Sequence, residues 1–477
     1  MNNTPAYTSK FSQRPWPHLL REWRALVGVA YPIVLSQLAQ VAMGFVDTLM
    51  AGRVSPDDLA AVAIGFSLWL PLFLLCGGIL MALTPLGAHA CGANDSRGVG
   101  ALVRQGLWLA LLLGCAGAFL LTQGVEVMLL MGADQNVISI AKGYLQGVAW
   151  GFPAAIIFCA LRSYSESLSL TRPIMVTSLV GLAINIPLNY LLIYGYGWIP
   201  AFGGAGCGYA TGVVMWISMA VMIGITRWSP RYQSTSPWQW GWPSLRSMGT
   251  IVQLGLPIGI AVFIETTIFA VVALLLVPLG SVVVAGHQIA LNFASVLFTL
   301  PYSIGCAMTV RIGNALGAGE HIEARFRAFA GMILSSSGAL VSGTLTLVGA
   351  ATIAALYSPD SAVREVATTL LVFAALFQLS DATQLAAAGA LRGYKDTRVP
   401  MFITVLAYWI IGLPLGMILG VTSWWREPLG ASGLWIGLTA GLSCAAVLLT
   451  LRLYRIANHK GNVSHSGNTT IYFKEDR

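Results

Sequence analysis

Charge is what this sequence lacks most. Lys, Arg, Asp and Glu together make up 9% of its 477 residues, against about 25% in an ordinary soluble domain, so the chain cannot be a soluble globule. Its seven cysteines (Cys76, Cys91, Cys115, Cys159, Cys207, Cys306, Cys444) lie in or beside apolar runs without metal-site spacing, which implies neither a disulfide framework nor a metal cluster. The six histidines form no i, i+4 ligand pair, and no cluster of His, Asp or Glu gathers at one interface, so an enzyme is not expected. A GxxxxGK[ST] loop is missing, as is a soluble domain to carry one, which argues against ATP as energy source. A channel would show a filter or a ring of like charge, and neither is evident. No cleavable signal peptide is expected, because residues 1–24 are polar and basic and the first apolar run is too long for a signal-peptide core. The net charge of +8 is scattered between apolar runs rather than gathered in a block, so nucleic acid is not an expected partner.

Apolar sequence is what the chain has instead: 56% hydrophobic residues, with 52 Gly and 21 Pro. Twelve runs reach the roughly 18 residues that argue a spanning helix. They lie near 26–52, 59–88, 104–130, 137–164, 173–196, 205–227, 249–279, 284–311, 327–356, 361–391, 399–421 and 431–455. All but four of the 26 Lys and Arg residues fall in the terminal segments or in loops after even-numbered runs; the exceptions are Arg53, Lys142, Arg364 and Arg426. Short cytoplasmic loops hold the basic excess, so both termini are expected in the cytoplasm. No Lys or Arg is expected deep in a span.

An internal repeat recurs at an offset near 225 residues. Pro32 answers to Pro257, and Ala88-His89-Ala90-Cys91-Gly92 to Gly313-Asn314-Ala315-Leu316-Gly317. Ala160-Leu161-Arg162-Ser163-Tyr164 likewise parallels Ala390-Leu391-Arg392-Gly393-Tyr394, and Pro173 with Pro187 parallels Pro400 with Pro414. The expected fold is an all-α integral membrane protein of two homologous six-helix lobes. Six is even, so the lobes share one orientation and are related by a pseudo-two-fold axis along the membrane normal. The expected organisation is an N-terminal segment 1–25, lobes 26–227 and 249–455, a linker 228–248, and a polar tail 456–477. The linker's Pro, Ser and four Trp suit a segment at the headgroup level.

Three acids interrupt the runs: Asp47, Glu265 and Asp381. A carboxylate at membrane depth costs roughly 3 kcal/mol even on lenient scales. With no Lys or Arg expected beside it, each must be protonated, hold a cation or line a wet cavity, which is the chemistry of ion coupling. Glu265 and Asp381 share a lobe and can form a pair. Two blander readings stand beside this one: Glu265 as hydrogen-bonded glue between helices, and Asp47, near its helix end, reaching interfacial water. Polar and aromatic residues fall on the same faces: Gln40 two turns before Asp47, Phe269 four after Glu265 and Phe377 four before Asp381. Asn185-Ile-Pro-Leu-Asn189 brackets a proline that frees a backbone carbonyl, and Gln288 and Asn292 repeat the i, i+4 spacing. As a set they describe a polar interior.

The stretches MGFVDTLMAG (43–52), NIPLNY (185–190), AGHQIALNF (285–293), IGNALGAG (312–319) and AAAGALRGYKDT (386–397) resemble those of the multidrug and toxic compound extrusion (MATE) family, in its NorM-like bacterial branch. The resemblance covers residues 25–455. It implies an antiporter of the bacterial inner membrane that exports amphiphilic organic cations, drugs and cationic dyes, in exchange for protons or sodium. It places the functional acids on Asp47, Glu265 and Asp381, and the polar cavity of the first lobe on Gln40, Asn185 and Asn189. Sodium-coupled relatives often have Tyr where this chain has Phe377, so protons are favoured; with sodium, Glu265 and Asp381 are the expected ligands, and Gln288 or Thr267 is positioned to add an oxygen if it turns toward the site. No cofactor is expected, the chain is expected to act as a monomer among membrane lipids, and the nearest alternative is a lipid-precursor flippase of the same fold.

Overall fold

A computed structural model describes residues 15–462 apart from 125, 127, 129–134, 198 and 424–426. Residues 1–14 of the expected N-terminal segment 1–25 and 463–477 of the expected tail 456–477 lie outside the described residues. Among the described residues, twelve helices are long and apolar enough to cross a membrane: α1 Trp16–Gly52, α2 Pro56–Gly92, α3 Ser96–Thr122, α4 Gln135–Ser167, α5 Arg172–Tyr194, α6 Gly204–Trp228, α7 Leu245–Leu279, α8 Ser281–Gly317, α9 His321–Tyr357, α10 Ser361–Gly393, α11 Arg398–Gly420 and α12 Ala431–Asn458. They fall on the twelve expected runs. The ends differ most at α1, whose helix extends well before residue 26, and at α3, which begins at Ser96 rather than near 104.

Local chemistry sets the helix ends and bends. Ser55 caps α2 by accepting from the Asp58 amide, with Pro56 and the acids Asp57 and Asp58 in the first turn, where a fixed φ and negative charge both favour a helix start. Asp95 and Asp360 cap α3 and α10 in the same way. The helix of α2 is interrupted at Met81 and Ala82, and the reason is Pro85, which denies the Met81 carbonyl its usual i+4 donor. In α11, residues Leu406–Gly412 form a π-helical segment just before Pro414, which likewise lacks the donor that a regular ladder needs.

Packing repeats the sequence repeat. In the first lobe α4 lies against α2, α3 and α6, and α5 against α1 and α6; in the second, α10 lies against α8, α9 and α12, and α11 against α7 and α12. Two homologous six-helix lobes related by a pseudo-two-fold axis are therefore what the chain forms. Between lobes, α1 packs on α8, α7 on α2, and α2 on α8. The crossings use glycine so that backbones can touch: a Cβ on Gly78 would sit 2.5 Å from the Gly259 Cα, and Gly255 lies against the Ile79 carbonyl.

Polar contacts join the lobes near the end that carries both termini. His89 Nε2 lies 2.8 Å from the Gly393 carbonyl, and the Trp23 indole donates to the Ala330 carbonyl at 2.9 Å. Glu22, on the early part of α1, accepts from Arg311 Nε and Nη2 at 2.5 Å each. The linker between lobes docks on the first lobe. Trp108 donates to the Gly241 carbonyl and Gln105 to the Trp242 carbonyl, while the Ser244 amide donates back to Gln105; Tyr164 and Ser165 of α4 bond Thr235 and Tyr232.

Candidate functional site

In the first lobe Asp47 is only 9% exposed, so it does not reach interfacial water. Its Oδ1 accepts from Asn185 Nδ2 at 3.2 Å and Asn189 Nδ2 at 2.5 Å, and its Oδ2 from Thr211 Oγ1 at 3.2 Å. The Cys207 thiol points at its backbone carbonyl, 3.6 Å away. The two asparagines reach it because α5 packs on α1 and because four residues separate them, one turn of helix. Their own Oδ1 atoms are buried without a hydrogen-bond donor. The result is one buried carboxylate held by three donors, with two further buried amide oxygens on the helix that supplies two of them. Gln40 is half-buried two turns along α1 and is not among the groups bonded to Asp47.

In the second lobe Glu265 is half-buried on α7, and Asp381 is buried on α10, one turn before Gln384. Gln384 Nε2 donates to Glu265 Oε1 at 3.4 Å, and Gln384 Oε1 accepts from the Tyr408 hydroxyl at 2.9 Å. Through Gln384 that hydroxyl is linked to the Glu265 carboxyl. Tyr408 stands in the π-helical segment of α11, and such segments re-aim side chains at functional sites. An oxygen is thus supplied from α11, although Phe377 offers none. Thr267, one candidate for that oxygen, bonds back to the Phe263 carbonyl of its own helix.

The remaining expected residues are placed as follows. Phe377 is buried, its ring 5.7 Å from that of Trp435, so it packs the lobe core. Phe269 is half-buried beside the same core. Gln288 and Asn292 are exposed on α8, whereas the adjacent His287 is fully buried and accepts at Nδ1 from the Trp435 indole at 3.1 Å. The expectation of no basic residue inside is corrected at two positions. Arg162 bonds Glu166 at 2.9 Å and Gln37 at 3.3 Å between α4 and α1, and its repeat partner Arg392 lines a cavity between the lobes with Thr84 and Glu166. Both have their Cα atoms near the ends of their helices while their side chains turn inward between the lobes, which is why they escape an inspection of span centres.

Thr211, Gln384 and Tyr408 were not foreseen as partners of the acids. Gln384 follows Asp381 by three residues and so shares its face, and Pro414 signals the distortion that carries Tyr408. For Thr211 the sequence offers no comparable mark.

The MatE family profile matches residues 32–191 and 257–418, one stretch in each lobe. The chain is 51% identical over 438 residues to multidrug resistance protein PmpM of Pseudomonas aeruginosa, covering 91% of this chain and 92% of that one. It is 45% identical to the probable multidrug resistance protein NorM of Shewanella oneidensis, over 92% and 96%. Among solved structures, the eukaryotic MATE transporter AtDTX14 superposes with a TM-score of 0.83 at 23% identity, over 93% of this chain and 98% of that one. The outward-facing conformation of a multidrug resistance MATE family transporter of the MOP superfamily gives 0.84 at 18%, over the same shares; both likenesses concern the fold.

Proposed function

The chain belongs to the multidrug and toxic compound extrusion family, and from that premise we propose that it is a secondary multidrug exporter of a bacterial inner membrane, expelling amphiphilic organic cations in exchange for protons. Both termini face the cytoplasm in this reading, in keeping with the basic loops. The observation that carries it is the set of three enclosed carboxyls, Asp47, Glu265 and Asp381, none of which has a Lys or Arg within ion-pair distance among the described residues. Charge buried without a partner is costly, so each site is stabilised by taking up a cation, and a proton or a cationic drug can serve. Exchange follows when the two occupants compete, because a lobe neutralised by one has less affinity for the other.

In the second lobe, Glu265 and Asp381 form the proton-loading pair. Gln384 and Tyr408 hold Glu265 in place, and the surrounding core, with Phe377 against Trp435, shields Asp381, while Glu265 stays half-buried. Sodium is a second reading supported by one specific observation: the unpartnered Oδ1 atoms of Asn185 and Asn189 beside Asp47 and Thr211, since hard monovalent and divalent cations prefer clustered oxygen ligands.

The test is dye efflux in everted vesicles with a pH gradient or a sodium gradient imposed separately. Efflux under the pH gradient alone is expected, and Glu265→Gln and Asp381→Asn are expected to abolish it at unchanged expression. Efflux that appears only with sodium would replace the proton by sodium, and normal efflux in both variants would remove the pair from the mechanism.

A further inference from the structure

The linker holds a second site, remote from the acids. Between Glu166 and Glu265 the sequence contains no Asp or Glu, yet it contains Arg172, Arg227, Arg231 and Arg246. Arg227, Arg231 and Arg246 are exposed, and among the described residues none of them forms an ion pair. Arg227 lines a cavity of about 500 Å³ together with Trp228, Tyr232, Gln233, Trp238 and Gln239, and Arg231 directly precedes Tyr232 in the chain. Trp238 packs beside the core of Leu161, Ile174 and Met222, and its indole N–H is buried with no acceptor. The wall therefore offers a guanidinium, amide groups and an indole donor, with no carboxylate to compete for them.

The surroundings say where such a ligand comes from. The cavity lies in the segment between the end of α6 and the start of α7, where these two long apolar helices end. Trp228, on its wall, is exposed, as are Trp240, Trp242 and Leu245 further along the same linker. Indoles favour the headgroup layer, and basic residues beside them attract anionic lipid. A cationic drug is disfavoured here by the same arginines that have no acid to offset them. We propose that this cavity binds the phosphate headgroup of an anionic phospholipid, with the exposed Trp and Leu245 seated among the upper acyl chains. The bound lipid holds the linker, and with it the first lobe, at the membrane surface.

The test is native mass spectrometry of the purified full chain titrated with phosphatidylglycerol or with phosphatidylcholine of the same acyl chains. Retention of phosphatidylglycerol in clear preference is expected. Arg227→Gln and Arg231→Gln should each weaken it about five-fold, the effect of one basic residue at an anionic surface. Trp238→Phe, which keeps the ring and removes the donor, should weaken it as well. Because a linker variant can loosen the fold, Gln239→Glu serves as a second probe: it adds a negative charge at the exposed rim and should lower retention at an unchanged melting temperature. Equal retention of the two lipids, or variants that bind like the parent, would overturn the proposal. So would displacement of phosphatidylglycerol by inorganic phosphate at equal concentration, which would mark a site for free anions.

Discussion

Neutralising Glu22 should open the protein at the end that carries both termini. Glu22 belongs to the first lobe; Arg311 and Arg327, whose Nε atoms lie 2.5 and 3.8 Å from its carboxylate oxygens, belong to the second. Its side chain is 5% exposed, and theirs are 23% and 18%. Removing one partner of a fully buried pair costs about 3–5 kcal/mol. The arginines keep some water, so roughly 2 kcal/mol is the appropriate figure once screening is allowed for. When the lobes part at this end, α1 leaves α8 and both charges return to water, so the loss falls on the closed arrangement alone. Glu22→Gln should thus raise the open population by about 30-fold, at 1.36 kcal/mol per decade. Cys306 reports it: the thiol is 3% exposed and lines the inter-lobe cavity with Thr84, Glu166 and Arg392. Alkylation in membranes, resolved by mass spectrometry, should speed up at Cys306 by that factor, with exposed Cys115 as internal standard. An unchanged ratio of Cys306 to Cys115 modification in folded Glu22→Gln protein would refute the reasoning.

Two further outcomes follow from the geometry. Asp47→Asn replaces a carboxylate that accepts three donors by an amide with one acceptor oxygen, so at least one donor loses its partner, at about 1–3 kcal/mol; efflux should fall sharply, and parental efflux in vesicles would remove Asp47 from the mechanism. Gly78→Val pushes a side chain into the backbone of Gly259, an overpacking worth about 1–3 kcal/mol; the melting temperature should drop and Cys306 should become more reactive, whereas Gly28→Ala, with no atom within 4 Å of the new carbon, should change neither.

The fold was legible because a membrane span needs a long apolar run and a repeat needs only two similar halves; Pro32 and Pro257 announce both. The ends of helices were less so: the early turns of α1 are polar and basic, and they are helical because Glu22 and Trp23 find partners on α8 and α9, contacts no local pattern encodes. The acids were legible for the opposite reason, since Asp47, Glu265 and Asp381 stand out against an apolar background. Their neighbours divide by range. Asn185 and Asn189 declare themselves by spacing, but Thr211 and Tyr408 reach the acids across helix packing. Arg162 and Arg392 were misjudged because their Cα positions lie near helix ends while their side chains point inward between the lobes.

The docked linker limits how the lobes can move. A free tether of that length would let the halves separate widely. Here residues 235–244 are bonded to α3 and α4 up to the Ser244 amide, and the helix of α7 begins at Leu245. The slack between lobes is thus the single joint from Ser244 to Leu245, where Ser244 already caps α7 through the Ser247 amide. The second lobe is hung on a pivot rather than a cord, and any rocking that opens the terminal end must turn about that point or peel the linker from its seat.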